Sequence, residues 1–310
     1  MSESNIGVIG VIGGTGLGQA LLGQVRGERI ILDTPFGRPS APIIRSRWED
    51  VDLAFLPRHG ETHTYPPSAV PFRANIYALK ALGVTHIIAS GATGSLREEI
   101  RPRDLVIVDQ VIDRTVHRPS TFFDQPGVAV HVEFAQPFCP PLRRVLLSAA
   151  EGLDVTAHDG GTYVCVEGPA FSTVAESRMH RAWGADLVGM TCMPEAKLAR
   201  EAEICYALVG LPTDYDCWRP HDPSASRQAL LAEIIGNIEA ATANCVLLIK
   251  EALRLLGRGT KGGAKEAKCS CRTSLDLAVW TKRECISPAA RRRYGVLLSR
   301  CLGDAQAQGA

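Results

Sequence analysis

VIGVIGGTG, residues 8–16, runs an apolar stretch from Val8 to Ile12 straight into the glycine turn Gly13-Gly14-Thr15-Gly16, and HIIASGATGS, residues 86–95, repeats the device. Runs of about five β-branched and apolar residues ended by glycine read as buried strands. The same reading gives strands at Leu53–Leu56, Leu105–Val108, Thr162–Val166, Leu187–Met190 and Cys205–Leu211. Helix-length amphipathic stretches alternate with them: Phe72–Leu82, Leu142–Leu153, Val174–Trp183, Pro194–Glu203 and Ala225–Leu256. Such alternation is the signature of an α/β fold with helices flanking a central sheet. After the strands come GGTG, RHGETH, GATGS, EGPAFS, Met190-Thr191 and TDYD. Ligands in these folds bind beyond the carboxyl ends of strands, so six polar or glycine-rich segments recurring there predict one shared site.

The chain has 310 residues, 45% of them hydrophobic, enough for one large core. The division expected is a main domain over residues 1–256, a Gly- and Lys-rich flexible linker over 257–268, and a short helical, cysteine-containing extension over 269–310. Thirty-four basic against 33 acidic residues leave a formal charge of +1, so no global field recruits nucleic acid or an anionic membrane. A small-molecule partner is expected instead. The first apolar run, Ile6 to Ile12, is broken by Gly7 and Gly10 and has no cationic stretch before it, which argues against a signal peptide. The stretch Leu230–Leu256 carries Glu233, Glu239, Lys250, Glu251 and Arg254, against a bilayer span. The expected location is cytoplasmic. Ten scattered cysteines then read as buried thiols, and Cys269-Ser270-Cys271 lacks the further pair a zinc site needs, so no metal is expected.

The strand-end residues suggest anion chemistry. Glycines at 13, 14 and 16 let backbone N–H groups close around an oxyanion while Thr15 adds a hydroxyl, although a ligand-free glycine turn fits that segment equally. Arg58 and His59, with His63 on the same loop, are a guanidinium and imidazoles able to grip phosphate oxygens. Gly91-Ala92-Thr93-Gly94-Ser95 reads as a second turn whose small residues admit a ligand to the backbone. Thr191 offers another hydroxyl, and Met190 a flexible thioether to lie under a sugar. In Asp214-Tyr215-Asp216 a protonated carboxyl could donate to purine N7 while an ionised one accepts from an exocyclic amine. A helix-capping Asp is the alternative for one of them.

IGGTGL from Ile12, DTPFG from Asp33, PRHGETHTYPP from Pro57, GSLREEI from Gly94, EGPAFS from Glu167, ADLVGMT from Ala185, MPEAKLAREA from Met193 and TDYDCW from Thr213 occur in the order seen in one family. Together they resemble the purine nucleoside phosphorylase superfamily, and within it the trimeric-type methylthioadenosine phosphorylases. The resemblance covers about Ile6 to Leu256 and implies a single-domain, three-layer nucleoside phosphorylase fold with a mixed central sheet flanked by helices. It implies phosphate-binding by Thr15, Arg58, His59, Gly91, Ala92 and Thr191, and substrate-binding by Met190, Asp214, Tyr215, Asp216, Phe171 and Ser172. Asp214, Asp216 and His59 would carry the catalysis, with Asp214 at N7. His131 would cross a subunit boundary into a neighbour's methylthio pocket, in a trimer or dimer of trimers. Phosphate would be co-substrate, and no cofactor or metal would be needed.

The chain departs from the family pattern at Ala170, where arginine is usual, in GATGS for TACGS, and near Arg227, where an apolar pocket residue is expected. The resemblance also implies two cysteine pairs, Cys139 with Cys205 and Cys269 with Cys271, which a reducing cell would keep as thiols. Phosphorolysis of methylthioadenosine is therefore expected, with an inosine, guanosine or methylthioinosine phosphorylase as its near variant. A nucleosidase would not require Arg58 and His59. An NAD-dependent oxidoreductase would require the full G-x-G-x-x-G pattern, and Gln19 and Leu21 stand where it wants glycine. A non-catalytic binding module would not require Arg58, Thr191 and Asp214.

Overall fold

The computed structural model describes residues 7–220, 226–261 and 269–303. In chain order the regular elements are β1 (Val8–Gly13), α1 (Leu17–Leu22), β2 (Glu28–Ile30), β3 (Ile43–Trp48), β4 (Val51–Pro57), α2 (Phe72–Ala81), β5 (Val84–Ser95), β6 (Leu105–Ile107), β7 (Gln110–Arg114), α3 (Pro140–Glu151), β8 (Ala157–Asp159), β9 (Thr162–Val166), α4 (Val174–Ala182), β10 (Leu187–Gly189), α5 (Cys192–Glu201), β11 (Cys205–Asp214), α6 (Arg227–Lys261) and α7 (Pro288–Leu302).

One mixed sheet gathers these strands in the order β2-β3-β4-β1-β5-β10-β9-β7, with β11, β6 and β8 branching from β5. Alternate residues of the central strands enter separate cores. Ile9, Val11, Leu53, Phe55 and Ile88 pack on one face with Leu17 and Leu21 of α1, Leu142 and Leu146 of α3, and Leu248 and Ile249 of α6. Val8, Ile12, Ala54, Leu56, Ile87 and Ala89 pack on the other with Ile76 of α2, Leu198 of α5, and Tyr294 and Leu298 of α7. Strands buried on both faces read as unbroken apolar runs, which is why the central ones were legible. The result is helices on both sides of a sheet.

Three expectations are corrected. GATGS is not a turn: β5 continues through it to Ser95, pairing in parallel with β11 up to Gly94 against Asp214. The helix expected to stop at Leu256 runs to Lys261 and so occupies the first five residues of the linker expected over 257–268. The rest of that linker, Ala225 and residues 304–310 lie outside the described residues. The segment after the linker is part of the body: Leu275, Tyr294, Leu297 and Leu298 are buried in the same core as β1 and α2.

α6 is long and apolar enough on composition to cross a membrane. Here Ala241, Cys245, Leu248, Ile249, Ala252 and Leu253 are buried in the sheet-facing core. Two bonds seat its first half over the sheet: Asn237 Nδ2 donates to Thr213 O at 2.8 Å, and Arg103 Nε donates to Asn237 Oδ1 at 2.7 Å.

Candidate active site

The backbone opens where β5 changes partners. Its pairing with β1 ends at Ala89 and its antiparallel pairing with β10 begins at Gly94, while β11 stays on the opposite edge throughout. Residues 90–93 therefore front a gap in the sheet between the ends of β1 and β10. A cavity of about 510 Å³ fills that gap, lined along this strand by Gly91, Ala92, Thr93 and Gly94. Thr15 enters from beyond β1, His59 and His63 from beyond β4, Phe171 and Ser172 from before α4, Met190 and Thr191 from the β10–α5 junction, and Asp214 and Asp216 from the end of β11. The sheet brings together ten of the thirteen residues expected to bind or catalyse, all but Arg58, Tyr215 and His131.

Close backbone approach explains the first glycine turn. A Cβ on Gly14 would lie 2.7 Å from both Arg58 NH1 and Ser90 O, and Gly16 has φ +84°. Thr15 is thereby presented at the cavity wall. Across it, a Cβ at Gly91 would stand 3.5 Å from Thr191 Oγ1, so hydroxyls face the exposed backbone of β5.

Arg58 does not line the cavity. Its side chain is fully buried, with Nε on Glu195 Oε2 and NH2 on Glu195 Oε1, both at 2.8 Å, and NH1 on Ser90 O at 2.7 Å. Tyr206 Oη donates to Glu195 Oε1 at 2.7 Å. Arg58 thus stands as a fixed cation beneath the Ser90–Gly91 backbone, and Glu195, which sequence reasoning missed, holds it there. The Glu195 carboxylate raises the Arg58 pKa above its ordinary value, against the opposing effect of burial.

His59 Nδ1 lies 2.8 Å from Tyr65 O, and a carbonyl only accepts, so Nδ1 carries the proton in the neutral ring. Burial first, and the Arg58 charge second, push its pKa down to about 4. His59 is then a neutral imidazole whose Nε2 accepts. Its ring stacks on His63 at 4.5 Å.

The carboxyl pair closes the other end of the β5 segment. Asp214 Oδ2 accepts from Thr213 Oγ1 at 2.8 Å and Oδ1 accepts from the Asp216 amide at 2.7 Å, which fixes the carboxyl at the strand end. Asp216 has a buried Oδ2 without a hydrogen-bond partner. Burial, with repulsion from Asp214, pushes the Asp216 pKa up. The upward push falls on Asp216, the neighbour of the Asp214 expected at N7.

Other expected residues lie elsewhere. Tyr215 is outside the cavity, its hydroxyl 3.4 Å from Glu98 O and its ring under Arg219. His131 packs edge-on against Trp280 at 4.9 Å, also away from the cavity of its own chain. Arg227 is exposed at the start of α6 and does not line the cavity; Ile234 and Ile238, one turn apart on that helix, supply the apolar wall. Their i, i+4 spacing was the available signal. Arg118 was missed as well, and nothing in its local sequence marks it: NH1 donates to Met190 O at 2.6 Å and NH2 to Glu167 O at 2.6 Å, clamping two cavity loops together. At the far end of β11 the sulfurs of Cys139, Cys205, Cys269 and Cys271 all lie within 4.8 Å of one another.

The phosphorylase superfamily profile matches residues 8–254. The chain is 44% identical over 292 residues to the S-methyl-5'-thioadenosine phosphorylase of Geobacter sulfurreducens, covering 94% of this chain and 98% of that protein. It is 43% identical over 296 residues to the one from Gloeobacter violaceus, covering 94% and 95%. Among solved structures it is similar to a methylthioadenosine phosphorylase from an antarctic soil metagenomic library, with TM-score 0.82, 41% identity and coverage of 96% of this chain and 100% of that one. The Schistosoma mansoni methylthioadenosine phosphorylase in complex with adenine gives TM-score 0.78 and 33% identity over 88% and 98% of the two chains. With a shared profile over most of its length, closely similar relatives and a matching fold, the chain belongs to the phosphorylase superfamily.

Proposed function

We propose that the protein cleaves the N-glycosidic bond of S-methyl-5'-thioadenosine with inorganic phosphate, releasing adenine and 5-methylthioribose 1-phosphate. One observation carries the reading. Along β5 the cavity wall changes from backbone and hydroxyl donors at Gly91 and Thr191 to a carboxyl pair at Gly94, three residues on, or about 10 Å. That spacing accommodates a ribose between a phosphate and a purine. The substrate named for the relatives supports the same choice.

Phosphate would be held by the amides of Gly91 and Ala92 and the hydroxyls of Thr15 and Thr191, with Arg58 supplying positive charge from below. Neutral His59 would accept the O–H of hydrogen phosphate at Nε2 and so orient its charged oxygens towards the sugar. As the C–N bond lengthens, positive charge grows on the ribosyl ring, and the fixed dianion stabilises it before attacking C1'. Met190, whose thioether lies against Gly168, would back the sugar. Of Asp214 and Asp216, one carboxyl would donate to N7 and the other accept from the 6-amino group. Ile234 and Ile238 would receive the methylthio group.

A site built to accept from an amine disfavours a 6-oxo purine, which places inosine second. The test is purine release from methylthioadenosine and from inosine, each with and without phosphate. Phosphate-dependent adenine release with little action on inosine is expected. Release without phosphate would overturn the reading.

For the assembly, we propose a homotrimer or dimer of trimers in which His131 completes a neighbour's pocket. Phe171, Leu277 and Trp280 are 87%, 92% and 72% exposed, large apolar groups beside the cavity mouth and around His131 that a second subunit would cover.

A further inference from the structure

Four cysteines from three distant parts of the chain meet at the end of β11 opposite the carboxyl pair. Cys205 begins the strand and Asp214 ends it, nine residues and about 30 Å apart. Cys139 is the N-cap of α3, and Cys269 and Cys271 bracket one turn after α6. Cys139, Cys205 and Cys271 are 1%, 0% and 2% exposed.

The sulfurs do not fall into separate pairs. Cys269 Sγ lies 3.3 Å from Cys139 Sγ and 3.6 Å from Cys205 Sγ, so the two close contacts cross between the pairs the family resemblance implied. All four fit within a 4.8 Å span. Four thiolates about 2.3 Å from a zinc ion form a tetrahedron with edges near 3.8 Å, which is the scale of this cluster. We propose that Cys139, Cys205, Cys269 and Cys271 form a tetrathiolate site for a structural zinc ion.

The surroundings suit thiolates. Cys139 sits at the positive end of a twelve-residue helix. The Cys271 amide points at Cys269 Sγ at 3.4 Å, leaving an N–H to offset sulfur charge. On binding, four S–H bonds break and four Zn–S bonds form, releasing four protons and the waters of the aqueous ion, with no change of oxidation state. The ion would tie the turn at 269–271 to the starts of α3 and β11, which already meet through the Cys139 N–H bond to Tyr206 O at 2.8 Å.

The test uses the full chain, expressed with added zinc and purified under reduction without chelator. Metal analysis should find one zinc per chain, and titration with an organomercurial beside a metallochromic dye should release that zinc as four thiols react. Cobalt in its place should give the intense visible bands and thiolate charge transfer of a tetrahedral sulfur site. Cys269→Ser with Cys271→Ser should abolish both signals, whereas Cys285→Ser, at an exposed cysteine outside the cluster, should retain them. If the double variant does not fold, the wild-type stoichiometry and cobalt spectrum decide alone. A metal-free wild-type chain overturns the proposal, whether all ten cysteines then titrate or two disulfides remove four of them.

Discussion

Arg58 and Glu195 form a two-pronged ion pair, 2.8 Å at each contact, with neither side chain exposed to solvent. Removing one partner of such a pair strands a buried charge, which costs about 3–5 kcal/mol. Glu195→Gln should therefore lower stability by roughly that amount in chemical denaturation. The same variant should raise KM for phosphate about tenfold, equivalent to about 1.4 kcal/mol, while KM for the nucleoside changes little. Unchanged phosphate affinity would confine the pair to a structural role.

The carboxyl pair separates substrate choice from folding. Asp214→Asn keeps the shape but puts an amide in place of one of the two carboxyls proposed to meet the purine's N7 and 6-amino edge. It should reduce kcat/KM for methylthioadenosine by roughly 100-fold or more and narrow the preference over inosine. Asp216→Asn removes the group whose pKa is raised and should shift the alkaline limb of the pH–rate profile. Equal loss on both nucleosides after Asp214→Asn would refute its part in choosing the base.

His59 has its pKa lowered from 6.5 to about 4. Between those values the unfolded chain takes up a proton that the folded site refuses, so stability from the neutral site is lost as pH falls from 6.5 towards 4. His59→Asn should lessen that decline. In the wild type no ionisation of His59 should appear between pH 5 and 8, and NMR titration of labelled histidine would show one if it did.

Glu201 gives the opposite sign. Burial raises its pKa from 4.5 to about 7, although Phe122 N and Thr121 Oγ1 donate to the carboxylate. Its contribution is complete below pH 4.5 and is lost as pH rises through 7. Glu201→Gln should flatten the fall in stability over that window, where the shift amounts to about 3 kcal/mol. Parallel pH curves for wild type and variant would count against it.

Trp280 packs edge-on against His131. If the proposed trimer forms, Trp280→Ala should weaken it in light scattering and raise KM for methylthioadenosine several-fold, with less effect on adenosine, which has no methylthio group. A monomer active at all concentrations would disprove a shared pocket.

The central strands were legible because burial on both faces writes them as apolar runs. Glu28–Ile30, Gln110–Arg114 and Ala157–Asp159 were missed because they are short, half-exposed edge pieces with mixed composition. Polar residues at strand ends revealed Thr15, His59, Thr191 and Asp214, since chemistry of that kind has no packing purpose there. Glu195 and Arg118 stayed hidden. Their work is done by contacts 137 and 72 residues away in sequence, to Arg58 and Met190 respectively, and local pattern carries no trace of such distances.

The change of partners along β5 has its own consequence for how this protein could vary. A ligand gripped by the amides of residues 91 and 92 is gripped by the path of the main chain, which no single side-chain replacement can delete. The neighbouring walls at Ile234, Ile238, Phe171 and Ser172 are side chains on separate elements, free to be exchanged one at a time. Specificity for the nucleoside can therefore drift while the main-chain share of the proposed anion grip stays as it is.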